Sequence, residues 1–460
     1  MILTVDFGST FTKLTALDPV GQRVAASARS FTTIETDIRD GFNNALSELE
    51  KMTGKIEYSA KYAASSAGGG LKMVAVGLVP DLTAKAAKLA ANNAGAKVMK
   101  TYSYELSDAE CDEIYAINPD IILLCGGTDG GNKEVIIQNA KKLAEIDGVF
   151  SVVIAGNKSA SSTVTDILKN RETTLTANVM PALGKLDIEP AKAAIRNVFI
   201  ERIIDAKGIG AAQKMMSADI IPTPLAAFEA ALLLSQELKG LMAVDVGGAT
   251  TDIYSMADGS PTNQNVIVKG IVEPFAKRSV EGDLGLRYGM PTLIEAAGIE
   301  RVASEAGVTV AEVEDWARRC GADQGTLASN AKEKSIDDSL AALAVELGVM
   351  RHCGTVESIF TPLGETFIQE GKDLGDVKYI VGAGGPVIGS LDPGAVLKKA
   401  CASVKNPFSL MPKNPKYLVD TKYIFSAMGL LSKVHPELAL KIMRDELGSV
   451  DTSCGTRLFG

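Results

Sequence analysis

Two short segments at distant points of the chain carry almost the same chemistry, and any fold has to account for both at once. The first reads Ile2-Leu3-Thr4-Val5-Asp6-Phe7-Gly8-Ser9-Thr10-Phe11-Thr12-Lys13. The second reads Leu241-Met242-Ala243-Val244-Asp245-Val246-Gly247-Gly248-Ala249-Thr250-Thr251-Asp252. Each is an apolar strand ending in aspartate, then a glycine-containing turn, then hydroxyl side chains where the chain starts back. A glycine tip lets backbone N–H groups approach phosphate oxygens with no Cβ in the way. The hydroxyls add donors, and an aspartate beside a polyphosphate is suited to holding Mg²⁺ through its water shell. Two such tips facing each other would clamp a nucleotide from both sides.

The length of 460 residues exceeds one ordinary core, so two domains are expected. With 46% hydrophobic and 22% charged residues the composition is that of a globular chain rather than a disordered one. A net charge of −9 and no clustered Lys/Arg face argue against nucleic acid as a partner. The six cysteines (111, 125, 320, 353, 401 and 454) are scattered and form no CxxC pair, which fits reduced thiols. Only two histidines, His352 and His435, are present, so an H-E-x-x-H zinc site is excluded. No signal peptide is visible at the start, and no apolar run reaches the roughly 18–20 residues that cross a bilayer. A cytoplasmic protein without membrane contact is expected.

The N-terminal block reads as three antiparallel strands, the third over 23–33, followed by helical spacing over 41–52. From about residue 58 strands alternate with helices of 10–15 residues, the pattern of parallel α/β organisation. Pro222-Thr223-Pro224 opens an Ala/Leu-rich helix over 225–235, and Gly240 ends it just before the Asp245 strand. The stretch 281–375 reads as mostly helical. It leads to Val381-Gly382-Ala383-Gly384-Gly385-Pro386, a strand ending in glycines that would admit a flat base or ribose beside the backbone. Helical spacing resumes from Lys422. Segments 224–235 and 423–431 are rich in small residues and would cross closely. Two further glycine loops, Ser65-Ser66-Ala67-Gly68-Gly69-Gly70 and Cys125-Gly126-Gly127-Thr128-Asp129-Gly130-Gly131, lack both the G-x-G-x-x-G spacing and the Walker A pattern. The second follows a strand and precedes a helix, the place where open α/β sheets bind ligands. Either is read as a ligand or partner loop or as a plain structural turn.

The order of five segments (6–13, 222–235, 245–252, 381–386 and 423–431) resembles the superfamily of sugar kinases, heat-shock 70 chaperones and actin. That resemblance implies an α/β fold of two ribonuclease-H-like lobes, the first enlarged, with ATP and Mg²⁺ between them. It implies lobes at 1–239 and 240–460, with an extra α/β region at about 60–200. Asp6 and Asp245 would hold the hydrated metal, and Asp245 or Asp252 would orient the attacking water. Gly8, Ser9, Thr10, Lys13, Gly247, Gly248, Ala249 and Thr250 would meet phosphates. Gly382, Gly384 and Gly385 would meet adenosine, and Gly282 and Asp283 in the Glu281-Gly282-Asp283-Leu284-Gly285 turn would line the nucleotide.

A finer resemblance, carried by the two aspartate tips, the two glycine loops and the 281–285 turn, is to the MutL/GlmL family. Its relatives include the ATPase half of hydantoinase and oxoprolinase enzymes. The resemblance implies an ATP-driven reactivating chaperone for an adenosylcobalamin-dependent mutase such as glutamate mutase. The implied partner is therefore a protein, and the oligomeric state stays open. Neither histidine lies in the D-x-H-x-x-G sequence of base-off cobalamin sites, so no histidine ligand to cobalamin is expected. The alternatives are the ATPase component of a hydantoinase- or oxoprolinase-like amidohydrolase, a small-metabolite kinase with Asp245 or Asp252 as base, and an actin-like filament protein.

Overall fold

The computed structural model describes residues 1–8, 11–33, 36–66, 72–204, 209–263, 265–362 and 364–450. The chain opens as a meander of β1 (Ile2–Phe7), β2 (Phe11–Asp18) and β3 (Arg23–Phe31). Leu3, Val5, Phe7 and Leu14 are buried, whereas β3 alternates between exposed and half-buried positions, as an outer strand does. The helix Ile38–Thr53 starts on Asp37, whose carboxylate accepts the Arg39 N–H, and lays Ile38, Phe42, Ala45 and Leu49 on this sheet. Strand β4 (Ala60–Ser65) then pairs parallel to β1.

Here the chain leaves to build a second sheet. Strands β5 (Lys72–Gly77), β6 (Lys97–Ser103), β7 (Ile121–Leu124), β8 (Ser151–Ile154) and β9 (Thr173–Leu175) are all parallel, in the order β6-β5-β7-β8-β9. That is a doubly wound sheet. Its central strands, Ile-Ile-Leu-Leu and Ser-Val-Val-Ile, are buried throughout because helices cover both faces. Lys85–Asn93 and Glu189–Ile204 pack on one face, while Asp108–Ile117 and Glu134–Glu145 pack on the other. The chain then returns as β10 (Ile221–Pro222), parallel to β4, which completes the first sheet as β10-β4-β1-β2-β3.

The helix Thr223–Leu234 leads to the other half. Strands β11 (Leu241–Val246) and β12 (Thr251–Met256) form the second hairpin. After the short β13 (Val266–Lys269), β14 (Ala276–Glu281) pairs with β12. The helices of 290–352 fill the core beneath, around buried Trp316 and Leu340. Strands β15 (Thr355–Thr361) and β16 (Gly364–Glu370) form a hairpin, and with β13 they make a separate three-stranded sheet. The stretch 281–375 is mostly helical as expected, through the helices of 290–352, and departs from it only here: Thr355-Val356-Glu357-Ser358-Ile359-Phe360-Thr361 is β-branched and aromatic, and it follows the helix Ala331–His352 across only Cys353 and Gly354. Strands β17 (Tyr379–Ala383), β18 (Lys416–Val419) and β19 (Gly448–Ser449) complete the sheet β14-β12-β11-β17-β18-β19.

The first and last large sheets repeat one plan: an antiparallel meander of three strands, with two parallel strands added beyond its first strand. They are the cores of two ribonuclease-H-like lobes in an α/β protein of actin-like ATPase fold. One buried cluster joins them, taking Ile2 and Leu17 from the first sheet and Leu241, Tyr254 and Val381 from the second. Between them lie the helices Thr223–Leu234 and Phe425–Leu431, which cross so closely that a Cβ on Gly429 would stand 1.7 Å from the Ala226 carbonyl oxygen. Among the described residues no helix is long and apolar enough to cross a membrane.

Candidate active site

The first tip follows β1. Asp6 sits across the strand pair from Lys13 and is held by hydroxyls from both crossing helices. Thr223 Oγ1 donates to Asp6 Oδ1 at 2.7 Å, and Ser426 Oγ donates to Oδ2 at 3.3 Å. Gly8 N–H donates to the Phe11 carbonyl at 3.1 Å, and the Gly8 carbonyl accepts Thr32 Oγ1 at 2.8 Å. A Cβ at Gly8 would lie 2.6 Å from the Phe11 oxygen, so the tight turn requires glycine. Ser9 and Thr10 lie outside the described residues, as do residues 67–70 of the first glycine loop. The Lys13 ammonium rests over the Tyr423 ring, 4.7 Å from its centre.

The second tip follows β11 and is braced from behind. Gly247 N–H donates to the Thr250 carbonyl at 2.9 Å. The Gly247 carbonyl accepts Leu286 N–H, and the Gly248 carbonyl accepts the N–H groups of Arg287 and Tyr288. Gly285 lies so near that a Cβ there would come 2.4 Å from the Ala249 carbonyl carbon. Thr250 Oγ1 donates to Asp252 Oδ2 at 3.1 Å. The other oxygen of Asp252 takes Arg278 Nε at 3.0 Å and Nη2 at 2.6 Å.

Asp245 stands directly across from Asp252. Burial, and then the Asp252 charge, push its carboxyl up to about 7, with Asp420 and Asp6 adding to the rise and Lys13 opposing it. Asp420, just beyond β18, accepts the Ile424 and Phe425 N–H groups at 2.9 Å each and so caps the second crossing helix. Its own carboxyl is raised by burial. The two tips, the end of β18 and Lys13 thus share one electrostatic neighbourhood. Oxygen donors crowded so that one carboxyl resists ionising are a fit for a hard divalent cation, which would offset the repulsion. Among the described residues no three His, Cys, Asp or Glu side chains converge closely enough to hold a bare ion.

The glycines after β17 divide by role. Gly384 has φ +86°, and a Cβ there would meet the Val246 oxygen at 2.1 Å and Asp245 Oδ1 at 2.6 Å, so it lies against the second tip. Gly385 opens a short helix near the Tyr423 hydroxyl, while Gly382 faces Leu397 and Val387 in the core. In the 281–285 turn, Asp283 and Glu281 both accept Arg351 Nη1 at 2.8 Å. The Arg351 guanidinium holds the Asp283 carboxyl below its ordinary value. Gly282 lies beside Lys97 of the inserted sheet.

The Cys125–Gly131 loop closes on itself. Asn157 donates to the Gly131 and Asn132 carbonyls and accepts Gly130 N–H, and Asn178 donates to the Gly127 carbonyl and to Asp129. His352 is buried between Ser279 and Ser255 hydroxyls at 2.7 and 2.8 Å, and burial holds its pKa low. Thr223, Ser426, Asp420, Tyr423 and Arg278 all escape the sequence reading as site residues. Only Thr223 carried a signal, as the hydroxyl between two prolines at a helix start.

A family model described as MutL protein matches residues 2–447. The chain is 43% identical over 458 residues to Protein MutL of Clostridium tetanomorphum, the match covering 97% of this chain and 99% of that one. Among solved structures, nucleotide-free acetone carboxylase aligns at 13% identity and a TM-score of 0.39, covering 94% of this chain and 70% of that one. A diol dehydratase-reactivating factor in nucleotide-free form aligns at 10% identity and a TM-score of 0.32, covering 94% and 99%.

Proposed function

The chain belongs to the MutL protein family, and from that premise we propose that it is a Mg²⁺-dependent ATPase that reactivates an adenosylcobalamin-dependent mutase, such as glutamate mutase. The observation that carries the ATPase half is the pair of aspartate tips, on two sheets of one plan, bridged by crossing helices whose hydroxyls reach Asp6. The mutase half rests on the kinship with the MutL/GlmL family.

In this reading the backbone N–H groups and hydroxyls of the two tips cradle the phosphates, with Lys13 adding positive charge. Ser9, Thr10, Gly247, Gly248, Ala249 and Thr250 are the proposed contacts, with Gly384 and Gly385 on the adenosine side. Asp6 and Asp245 hold Mg²⁺ through its water shell, and when bound the ion supplies charge neutralisation on the transferring phosphoryl group. Asp245, across the strand pair from Asp252, accepts hydrogen bonds from the attacking water and takes up its proton. Asp252, already committed to Arg278 and Thr250, stays opposite in a fixed position.

Nucleotide contacts to both tips favour a closed arrangement of the lobes (1–239 and 240–460), and loss of the γ-phosphate releases it. A mutase that binds one arrangement better is gripped or let go by the cycle, to the extent of that difference in affinity. The 60–200 region is the proposed partner-recognition element. The test is Mg·ATP hydrolysis with and without an aminomutase holoenzyme whose cobalamin has been inactivated. Recovery of mutase activity that needs both ATP and free adenosylcobalamin is expected. Hydrolysis indifferent to the mutase would turn the reading toward the amidohydrolase-associated ATPase or the metabolite kinase.

A further inference from the structure

Strand β14 is the outermost strand of the second lobe's sheet, and the inserted domain covers it. The cover is the helix Lys85–Asn93 and the turn that follows. Asn93 imitates a neighbouring strand: its Nδ2 donates to the Ala276 carbonyl at 3.1 Å, and its Oδ1 accepts Arg278 N–H at 2.9 Å. At the other end of the same helix, Lys85 pairs with Glu273 at 3.0 Å. The Arg278 side chain then reaches through. Its Nη1 donates to the Asn92 carbonyl at 2.7 Å and the Ala96 carbonyl at 3.4 Å, while Nε and Nη2 take Asp252.

Arg278 is only 2% exposed, and its guanidinium joins two bodies that the chain order keeps apart. One side of the planar fork is spent on a carboxylate at the second tip, the other on carbonyls at the end of an inserted-domain helix. A fork of fixed geometry cannot follow one side without disturbing the other. Any shift of residues 92–96 therefore changes where Asp252 stands, and Asp252 faces Asp245.

We infer that Arg278 is a positioning residue through which the inserted domain sets the Asp252–Asp245 pair, with Asn93 fixing the register of the contact. The inference deepens the ATPase reading and rests on it: a protein partner bound to the inserted domain would act on turnover along this route. It also explains why β14 is covered by a side-chain amide and a guanidinium rather than by another strand. A side-chain contact can shift where a full strand pairing cannot.

The test uses the full chain, with R278K and N93S. Lysine keeps the charge of Arg278 but cannot serve both sides at once, and serine removes both Asn93 bonds without adding charge. Hydrogen exchange over residues 85–97 is followed with and without Mg²⁺ and a non-hydrolysable ATP analogue, alongside steady-state ATP turnover. In the wild type the nucleotide is expected to change protection of 85–97, and both variants lose that change. R278K is expected to lower kcat at least tenfold while KM for ATP moves less than twofold. Variants that keep the nucleotide-linked protection and the wild-type kcat, whatever their Tm, overturn the inference. The exchange arm needs only nucleotide binding, so a wild-type chain without turnover defeats the ATPase reading and still decides this one.

Discussion

In the first hairpin the carboxylate of Asp6 stands across the strand pair from Lys13; in the second, Asp245 at the same place stands across from Asp252. The backbone path is shared, but one tip pairs opposite charges and the other pairs like charges. The surroundings differ accordingly. Hydroxyls from the two crossing helices hold Asp6, whereas Asp245 sits near Asp252 and Asp420 with its carboxyl pushed up to about 7. The first tip is thus tied to the elements that join the lobes, and the second gathers carboxylates. Under the proposed ATPase reading, one motif used twice serves the metal from a tip anchored on the crossing helices and from a tip that meets the attacking water.

The sharpest way to break this comparison is Asp245→Asn against Asp6→Asn. Asp245→Asn is expected to lower ATP turnover by roughly 10²–10⁴-fold with the fold intact by circular dichroism. Asp6→Asn is expected to act mainly on nucleotide affinity, so equal kcat losses would erase the distinction. Next in size is Thr223→Val, which removes a hydroxyl bond to a carboxylate of a kind worth about 1.5–3 kcal/mol. Weaker ATP binding by calorimetry, at least tenfold, is expected, with little change in the titration of Asp245. Gly8→Ala should destabilise by about 1–3 kcal/mol in denaturant unfolding, since its Cβ meets the Phe11 oxygen at 2.6 Å. Gly247→Ala, at 3.0 Å from the Thr250 oxygen, should cost less.

The smallest effect is one of pH. Asp245 has a folded-state pKa of about 7 against an ordinary 3.8, so the folded form binds its proton more tightly than the unfolded one. The stability this contributes is complete below about pH 4 and is lost as pH rises through 7. Without Mg²⁺, Asp245→Asn should therefore raise Tm by a few degrees at pH 8 and hardly at pH 4. A gain independent of pH would mean that Asp245 ionises as easily as an exposed carboxylate.

Much of the architecture was legible because it is written in local pattern. The paired aspartate turns, the strand–helix alternation of the inserted sheet and the small-residue helices each carry a signal within a dozen residues. The close helix crossing could be anticipated because Ala226 and Gly429 leave nothing between the backbones. The hairpin β15–β16 was missed because its strands follow a long helix with hardly a break. Asp420 and Arg278 were invisible for another reason. An aspartate after a strand and an arginine within one are common; Asp420 caps its own helix but shares its electrostatic surroundings with Asp245 and Lys13, and Arg278 reaches Asn92, all more than 150 residues away in the chain. The sequence also suggested a ligand role for the Cys125–Gly131 loop as one of two readings. The structural-turn reading gains support from the bonds of Asn157 and Asn178 to Gly127, Asp129, Gly130 and Gly131.

The first sheet is completed by β10, whose Ile221 lies beside Ala64 of β4, while the whole parallel sheet is threaded between them. During synthesis β1 to β4 emerge early but lack their fifth strand until the inserted domain has left the ribosome. That closure joins positions far apart in the chain, and such non-local pairing is slow to form unless the insertion has already compacted and brought its ends together. Topology thus favours one order of folding, the insertion first and then the sheet that surrounds its entry and exit, and pulsed hydrogen exchange protecting β5–β9 before β10 is the expected sign of it. A mutation that slows the parallel sheet would leave the edge of β4 open, and its cost would appear as aggregation of nascent chains before it appeared in the stability of the finished protein.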